Sequence, residues 1–202
     1  MAVINIRKRE VQIKIVYVGP GRGGKTTNLE YLFNSIRHRI QSDMVSIKTH
    51  GDRTLFFDFL PFDLGQIQGY RIKTQLYTVP GQVKYNATRK LVLKGVDGIV
   101  FVADSMAVMR EKNIAALENL IENLTFYDID IYDRFPIIMQ YNKRDLADEG
   151  IPLLDIATMQ GDLNAKLNAP FFEACAVRGE NVIPTAKKAI SATIISLQDH
   201  LA

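Results

Sequence analysis

Between an apolar run, VQIKIVYVG (Val11 to Gly19), and a helical pattern, KTTNLEYLFNSIRHRI (Lys25 to Ile40), stands the stretch GPGRGGKT, Gly19 to Thr26. It matches G-x-x-x-x-G-K-[ST], and a strand before it and a helix after it are the context that pattern requires. The residue types follow from the chemistry of phosphate. Glycines let backbone N–H groups curl around phosphate oxygens, and the helix N-terminus adds the positive end of its dipole. Lys25 reaches the β- and γ-phosphates, and Thr26 supplies a hydroxyl to magnesium. The expected phosphate-side residues are Gly19, Gly21, Arg22, Gly23, Gly24, Lys25, Thr26 and Thr27, with the Arg22 side chain facing solvent.

The rest of the chain alternates in the same way. TLFFDFL (Thr54 to Leu60) and YRIKTQLYTV (Tyr70 to Val79) read as a hairpin-like pair of strands joined by a tight turn in DLGQIQG. GIVFVAD (Gly98 to Asp104) is a continuous apolar run, as a buried parallel strand requires. Helical spacing covers 109–124, FPIIMQYN (Phe135 to Asn142) is a strand, 154–167 is helical, and PFFEACA is a short strand. A last helix spans about 182–201, with Pro184 in its first turn, where a missing N–H costs little. This alternation predicts an α/β fold with a mostly parallel six- or seven-stranded sheet covered by helices on both faces. A length of 202 residues suits one domain, 1–202, with a sizeable core.

Composition removes several classes of function. The net charge of +3 is too small to argue for nucleic acid. One cysteine allows no internal disulfide, in keeping with a reducing cytosol. No run of about 18 apolar residues exists to span a membrane. The N-terminus lacks a signal-peptide core, residue 2 is Ala, and QDHLA carries no prenylation cysteine. The expectation is a cytoplasmic protein with no lipid anchor. His38 and His50 show no metal-ligand spacing.

Base choice rests on YNKRD, Tyr141 to Asp145, which follows a strong apolar strand and so emerges at the carboxyl edge of the sheet, where open α/β folds bind ligands. N-K-x-D suits guanine: the Asp145 carboxylate can accept both the ring N1–H and the exocyclic amine, a pairing adenine cannot make. Asn142 can tie this loop to the phosphate loop, and the aliphatic stem of Lys143 can cover the base. After one more strand, EACA brings Cys175, Ala176 and Val177 to the same edge. The Ala176 N–H can meet the guanine oxygen, while the Cys175 side chain reads as core. Asp104, ending IVFVAD, resembles the magnesium-binding Asp of some ATPases; with N-K-x-D present, the favoured reading is a cap on the following helix.

With these residues in view, the chain resembles the Ras-superfamily small GTPases over nearly its whole length. More narrowly it resembles the bacterial gliding-motility GTPases of the MglA type, through GPGRGGKTTN, TLFFDFLP, LYTVPGQVKYNATRK, LVLKGVDGIVFVADS and YNKRDL in that order. The resemblance implies a single G domain that binds GTP or GDP with Mg²⁺. It implies a polarity switch whose GTP form sits at a cell pole through polar effector proteins, and a small Roadblock-type (MglB-like) activator. It also makes Thr78, where other such proteins carry a magnesium-holding Asp, a family trait.

Hydrolysis needs a bound γ-phosphate, magnesium, a positioned water and stabilisation of transition-state charge. Thr26 and Thr54 are the expected metal ligands, with Thr78 a possible contributor through water. Gly81 can offer its N–H to the γ-phosphate, and Gln82 can orient the attacking water. Arg53, next to Thr54, is the expected arginine finger in cis, as the resemblance also implies. Arg89, a turn or two beyond Gln82, is expected at a surface or partner contact. The alternative is a nucleotide-gated binding scaffold with negligible hydrolysis; Thr78 favours it, and Gln82 with Arg53 oppose it.

Overall fold

The computed structural model describes residues 3–5, 8–36, 45–46, 58–67, 69–80 and 86–199. Its strands are β1 (Val3–Asn5), β2 (Glu10–Val18), β3 (Val45–Ser46), β4 (Asp58–Ile67), β5 (Tyr70–Thr78), β6 (Gly98–Asp104), β7 (Ile137–Asn142) and β8 (Phe171–Glu173). Its helices are α1 (Lys25–Ile36), α2 (Asn86–Leu93), α3 (Arg110–Thr125), α4 (Ile156–Leu163) and α5 (Val182–Asp199), with short 3₁₀ turns at Ala107–Met109 and Arg144–Glu149.

All eight strands join one sheet in the order β3-β4-β5-β2-β6-β7-β8, with β1 paired to the start of β2. The count among the described residues is therefore eight, not six or seven. β5, β2, β6, β7 and β8 run parallel, and β1, β3 and β4 add antiparallel pairings. The extra pieces, β1 and β3, are three and two residues long, too short to leave a periodic signal. β4 and β5 form the expected antiparallel pair. However, β4 runs on to Ile67 through an irregularity between Asp63 and Gln66. Most of DLGQIQG is thus strand, and the reversal is confined to its end, where Gly69 has φ +81°.

Side-chain alternation divides the core in two. On one face Val16, Val18, Phe101, Met139 and Tyr141 pack against Val92 and Leu93 of α2, Leu117, Leu120 and Leu124 of α3, and Met159 and Leu163 of α4. On the other face Ile13, Ile15, Tyr17, Leu76, Val102 and Ile138 meet Leu29 and Leu32 of α1 and Ala186, Ala189 and Ile190 of α5. β6 and β7, covered on both sides, are buried at every position, as parallel strands between two helical layers must be. β5 instead buries alternate residues, Ile72, Thr74, Leu76 and Thr78.

This topology places the site. After β2 the chain crosses to β5, and after β6 it crosses the opposite way to β7, so connections diverge between β2 and β6. A crevice opens where connections diverge at the carboxyl ends of parallel strands. The loops after β2, β6 and β7 all enter it. No helix among the described residues is long and apolar enough to cross a membrane.

Candidate nucleotide site

Strand β2 ends under the crevice, and the loop 19–24 turns out of it into α1. Gly19 has φ +144°, and a Cβ there would lie 2.1 Å from the Val102 carbonyl oxygen. The loop therefore rests on the backbone of β6, a close approach only glycine permits. The Gly23 N–H donates to the Pro20 carbonyl (3.2 Å), which curls residues 20–23 into a turn. Within that turn Arg22 takes φ +63°, and its side chain is exposed as expected. Lys25, buried at 6% exposure, donates from Nζ to the carbonyls of Gly19 (3.0 Å) and Pro20 (2.7 Å). Its ammonium is held as a positive charge over the loop, at the N-terminus of a twelve-residue helix. Charge, dipole and convergent backbone make an anion site.

The base-side motif meets this loop directly. Asn142 Nδ2 donates to the Gly23 carbonyl (2.8 Å), tying the two loops as the sequence suggested. Asn142 Oδ1 accepts the Ala176 N–H (2.8 Å), so that N–H, assigned from sequence to the guanine oxygen, is engaged by Asn142 instead. Gly24, at φ +98°, could carry no side chain here: a Cβ would sit 2.2 Å from Asn142 Nδ2.

Asp104 corrects another expectation. It does not cap a helix. Its Oδ1 accepts the Met106 N–H (3.1 Å), and its fully buried Oδ2 pairs with Lys143 Nζ at 2.7 Å. Lys143 has φ +68°, and the ion pair tethers the end of its side chain. Asn113 of α3 braces the same strand end, accepting the Asp104 N–H (2.9 Å) and donating to its carbonyl (2.8 Å). A carboxylate engaged in this way does not behave as the metal-holding Asp of an ATPase.

Asp145 is half-buried at the crevice, and Cys175 is fully buried. Burial above all, and then the Asp145 carboxylate, push the thiol above its ordinary pKa, against a bond from the Arg178 N–H (3.3 Å). A buried thiol whose pKa is raised is unsuited to nucleophilic chemistry. Val177 is 78% exposed.

The residues expected to serve hydrolysis follow the end of β5 at Thr78 or precede β4. Thr78 is buried on the face of Tyr17, its pairing partner, which is the α1 face. Arg53, Thr54, Gly81 and Gln82 lie outside the described residues. Arg89 is not at the surface: it is 6% exposed. Its Nε donates to Asn119 Oδ1 (2.9 Å) and its Nη1 to the Pro80 carbonyl (3.1 Å), and burial pushes its guanidinium below the usual arginine range. Asn119 and Asn123 of α3 in turn both donate to Asn86 Oδ1 (3.2 and 3.0 Å).

Sequence reasoning missed Asn113, Asn119, the pairing role of Asp104, and the buried polar residues Asn28, Gln140 and Thr185. Gln140 did carry a signal, an amide inside the apolar run IIMQYN. Among the described residues no cluster of three His, Cys, Asp or Glu could hold a metal.

A family model described as the Ras family matches residues 14–194. The chain is 46% identical over 198 residues to the Mutual gliding-motility protein MglA of Myxococcus xanthus (strain DK1622), and the match covers 98% of each chain.

Proposed function

The chain belongs to the Ras family of small GTPases, and from that premise we propose that residues 1–202 work as one G domain: a cytoplasmic, GTP-hydrolysing switch of the gliding-motility type. The observation that carries the reading is the hydrogen bond from Asn142 to Gly23. It joins the N-K-x-D motif to the Gly19 to Thr26 loop, which supports one ligand with a guanine at one end and phosphates at the other spanning both.

In this reading Asp145 accepts the guanine N1–H and amine, and Lys25 neutralises the phosphates. Thr26 and Thr54 would hold Mg²⁺. The donor set of hydroxyls, with Thr78 buried on the α1 face, suits a hard cation that draws its other oxygens from water and phosphate. When bound, the ion neutralises charge on the β- and γ-phosphate oxygens. Gln82 orients the attacking water, and Arg53 offsets the charge that develops on the transferred phosphoryl group. Because both belong to this chain, a Roadblock-type partner need only bring Arg53, Thr54 and Gln82 together. Polar localisation then comes from protein partners that read the GTP state.

Single-turnover GTP hydrolysis with and without the partner tests this. Arginine fingers are worth roughly 10³ to 10⁵ in rate, so Arg53→Ala should lose most of the stimulated rate and keep GTP binding. A rate within a few-fold of the unmodified protein would refute the cis finger. Thr78 in place of a carboxylate favours the second reading, a nucleotide-gated scaffold, and negligible stimulated turnover by the unmodified protein would establish it.

A further inference from the structure

Gln140 is an anomaly in β7. It is fully buried on the face that packs against α1 and α5, beside Ile138 and Val102. A buried carboxamide is unfavourable unless its polar atoms find partners. Its Nε2 donates to Asn28 Oδ1 (3.0 Å) and to Thr185 Oγ1 (3.2 Å), while its Oε1 is buried with no hydrogen-bond partner among the described residues. Asn28 and Thr185 are themselves fully buried. The chain of bonds has one direction. Thr185 Oγ1 donates to the Asn181 carbonyl (2.5 Å), so towards Gln140 it accepts. Asn28 Nδ2 donates to the Gly24 carbonyl (2.9 Å), which leaves its Oδ1 to accept.

The end of this chain is the phosphate loop. The Gly24 carbonyl takes two bonds from Asn28, one from its side chain and one from its backbone N–H (3.0 Å). One peptide earlier, the Gly23 carbonyl is held by Asn142. In a planar trans peptide the C=O and the following N–H point in opposite directions. Fixing the Gly23 and Gly24 carbonyls therefore fixes the Gly24 and Lys25 N–H groups on the opposite side, where the loop curls. β7 holds both peptides: Asn142 directly, and Gln140, two residues earlier on the same face, through Asn28.

We propose that Asn28, Gln140 and Thr185 form a positioning network that presets the Gly24–Lys25 peptide for the β-phosphate, and so sets the affinity of the loop for guanosine di- and triphosphates relative to the monophosphate. This rests on the reading of Gly19 to Thr26 as a phosphate loop. The test is competition binding of GMP, GDP and GTP to the full chain, with melting temperature measured alongside. The unmodified protein should prefer GDP to GMP; if it does not, the phosphate-loop reading fails before the network is tested. Asn28→Leu should cut the GDP-over-GMP preference roughly tenfold, the worth of one hydrogen bond. Gln140→Met, close in volume, should cut it by less. Thr185→Val should follow Gln140→Met, and Thr185→Ser, which keeps the hydroxyl, should restore the preference. A network that serves folding alone would lower the melting temperature of these variants and leave the preference unchanged, and that result would overturn the proposal. Should Asn28→Leu not fold, Gln140→Met decides in the same way.

Discussion

At the N-K-x-D end of the crevice, Lys143 is paired to the buried Asp104, Asn113 grips both backbone groups of Asp104, and Asn142 joins its own loop to those of Gly23 and Ala176. At the other end, β5 runs out at Thr78, and the Pro80 carbonyl just beyond it is taken by Arg89, a side chain from α2 that leans on Asn119 of α3. The first arrangement is anchored in β6 and β7, which are buried at every position. The second is a helix-to-helix contact, α2 on α3, that reaches back to a strand end. The two groups of residues therefore rest on separate supports. The base end is preformed by the sheet, while the strand end leading to Gly81 and Gln82 takes its position from the packing of α2 on α3. On the proposed roles, the expected outcome of shifting α2 is altered hydrolysis with guanine recognition in place.

Asp104→Asn should break the first support. Removing one member of a buried ion pair costs roughly 3–5 kcal/mol, and the lower end applies because Lys143 is 24% exposed. GDP should dissociate faster, stability to denaturant should fall by about 3 kcal/mol, and single-turnover hydrolysis of bound GTP should stay within a few-fold. Loss of hydrolysis with intact GDP binding would show that the two ends are not separate.

Arg89→Met attacks the second support and should give the opposite pattern. The Pro80 carbonyl and Asn119 Oδ1 each lose a donor, a cost on the order of 1–3 kcal/mol in denaturant unfolding. Hydrolysis should slow while the GDP dissociation rate holds. A variant that releases GDP quickly and hydrolyses normally would invert the assignment.

The smallest effect is expected where neither support is touched. Arg22 occupies the left-handed region, φ +63°, at a cost of about 1–2 kcal/mol for a non-glycine residue. Arg22→Gly relieves that cost but adds unfolded-state entropy, so thermal stability should rise by less than about 1 kcal/mol. Both GDP affinity and hydrolysis should hold; a large change in either would place the Arg22 side chain in the site.

The alternation of strands and helices, apart from α2, was legible in the sequence, as were the glycine-rich motif before α1 and the N-K-x-D motif after β7. Each is a local pattern: apolar periodicity, glycine spacing before a helix, or a polar motif at a strand end. β1 and β3 were not legible, because two or three residues carry no period. Arg89 was misplaced for a related reason. An arginine in a polar stretch reads as surface, and only the approach of α3 supplies the acceptors that let its guanidinium be buried.

The sequence by itself determined which atoms the G-x-x-x-x-G-K-[ST] and N-K-x-D motifs carry, since such motifs depend on residue type and short spacing. Tertiary structure alone decided what holds those atoms still. Asp104 meets Lys143, and Gln140 meets Asn28 across 112 residues of chain, only because the β6–β7 register and the side-chain alternation of β7 put them at one strand end or on one face. The Ala176 N–H likewise goes to Asn142 because β8 lies beside β7. A hydrogen bond needs its partners within about 3 Å. Residues far apart in sequence reach that distance only through strand pairing and the packing of helices on the sheet, which no local pattern encodes.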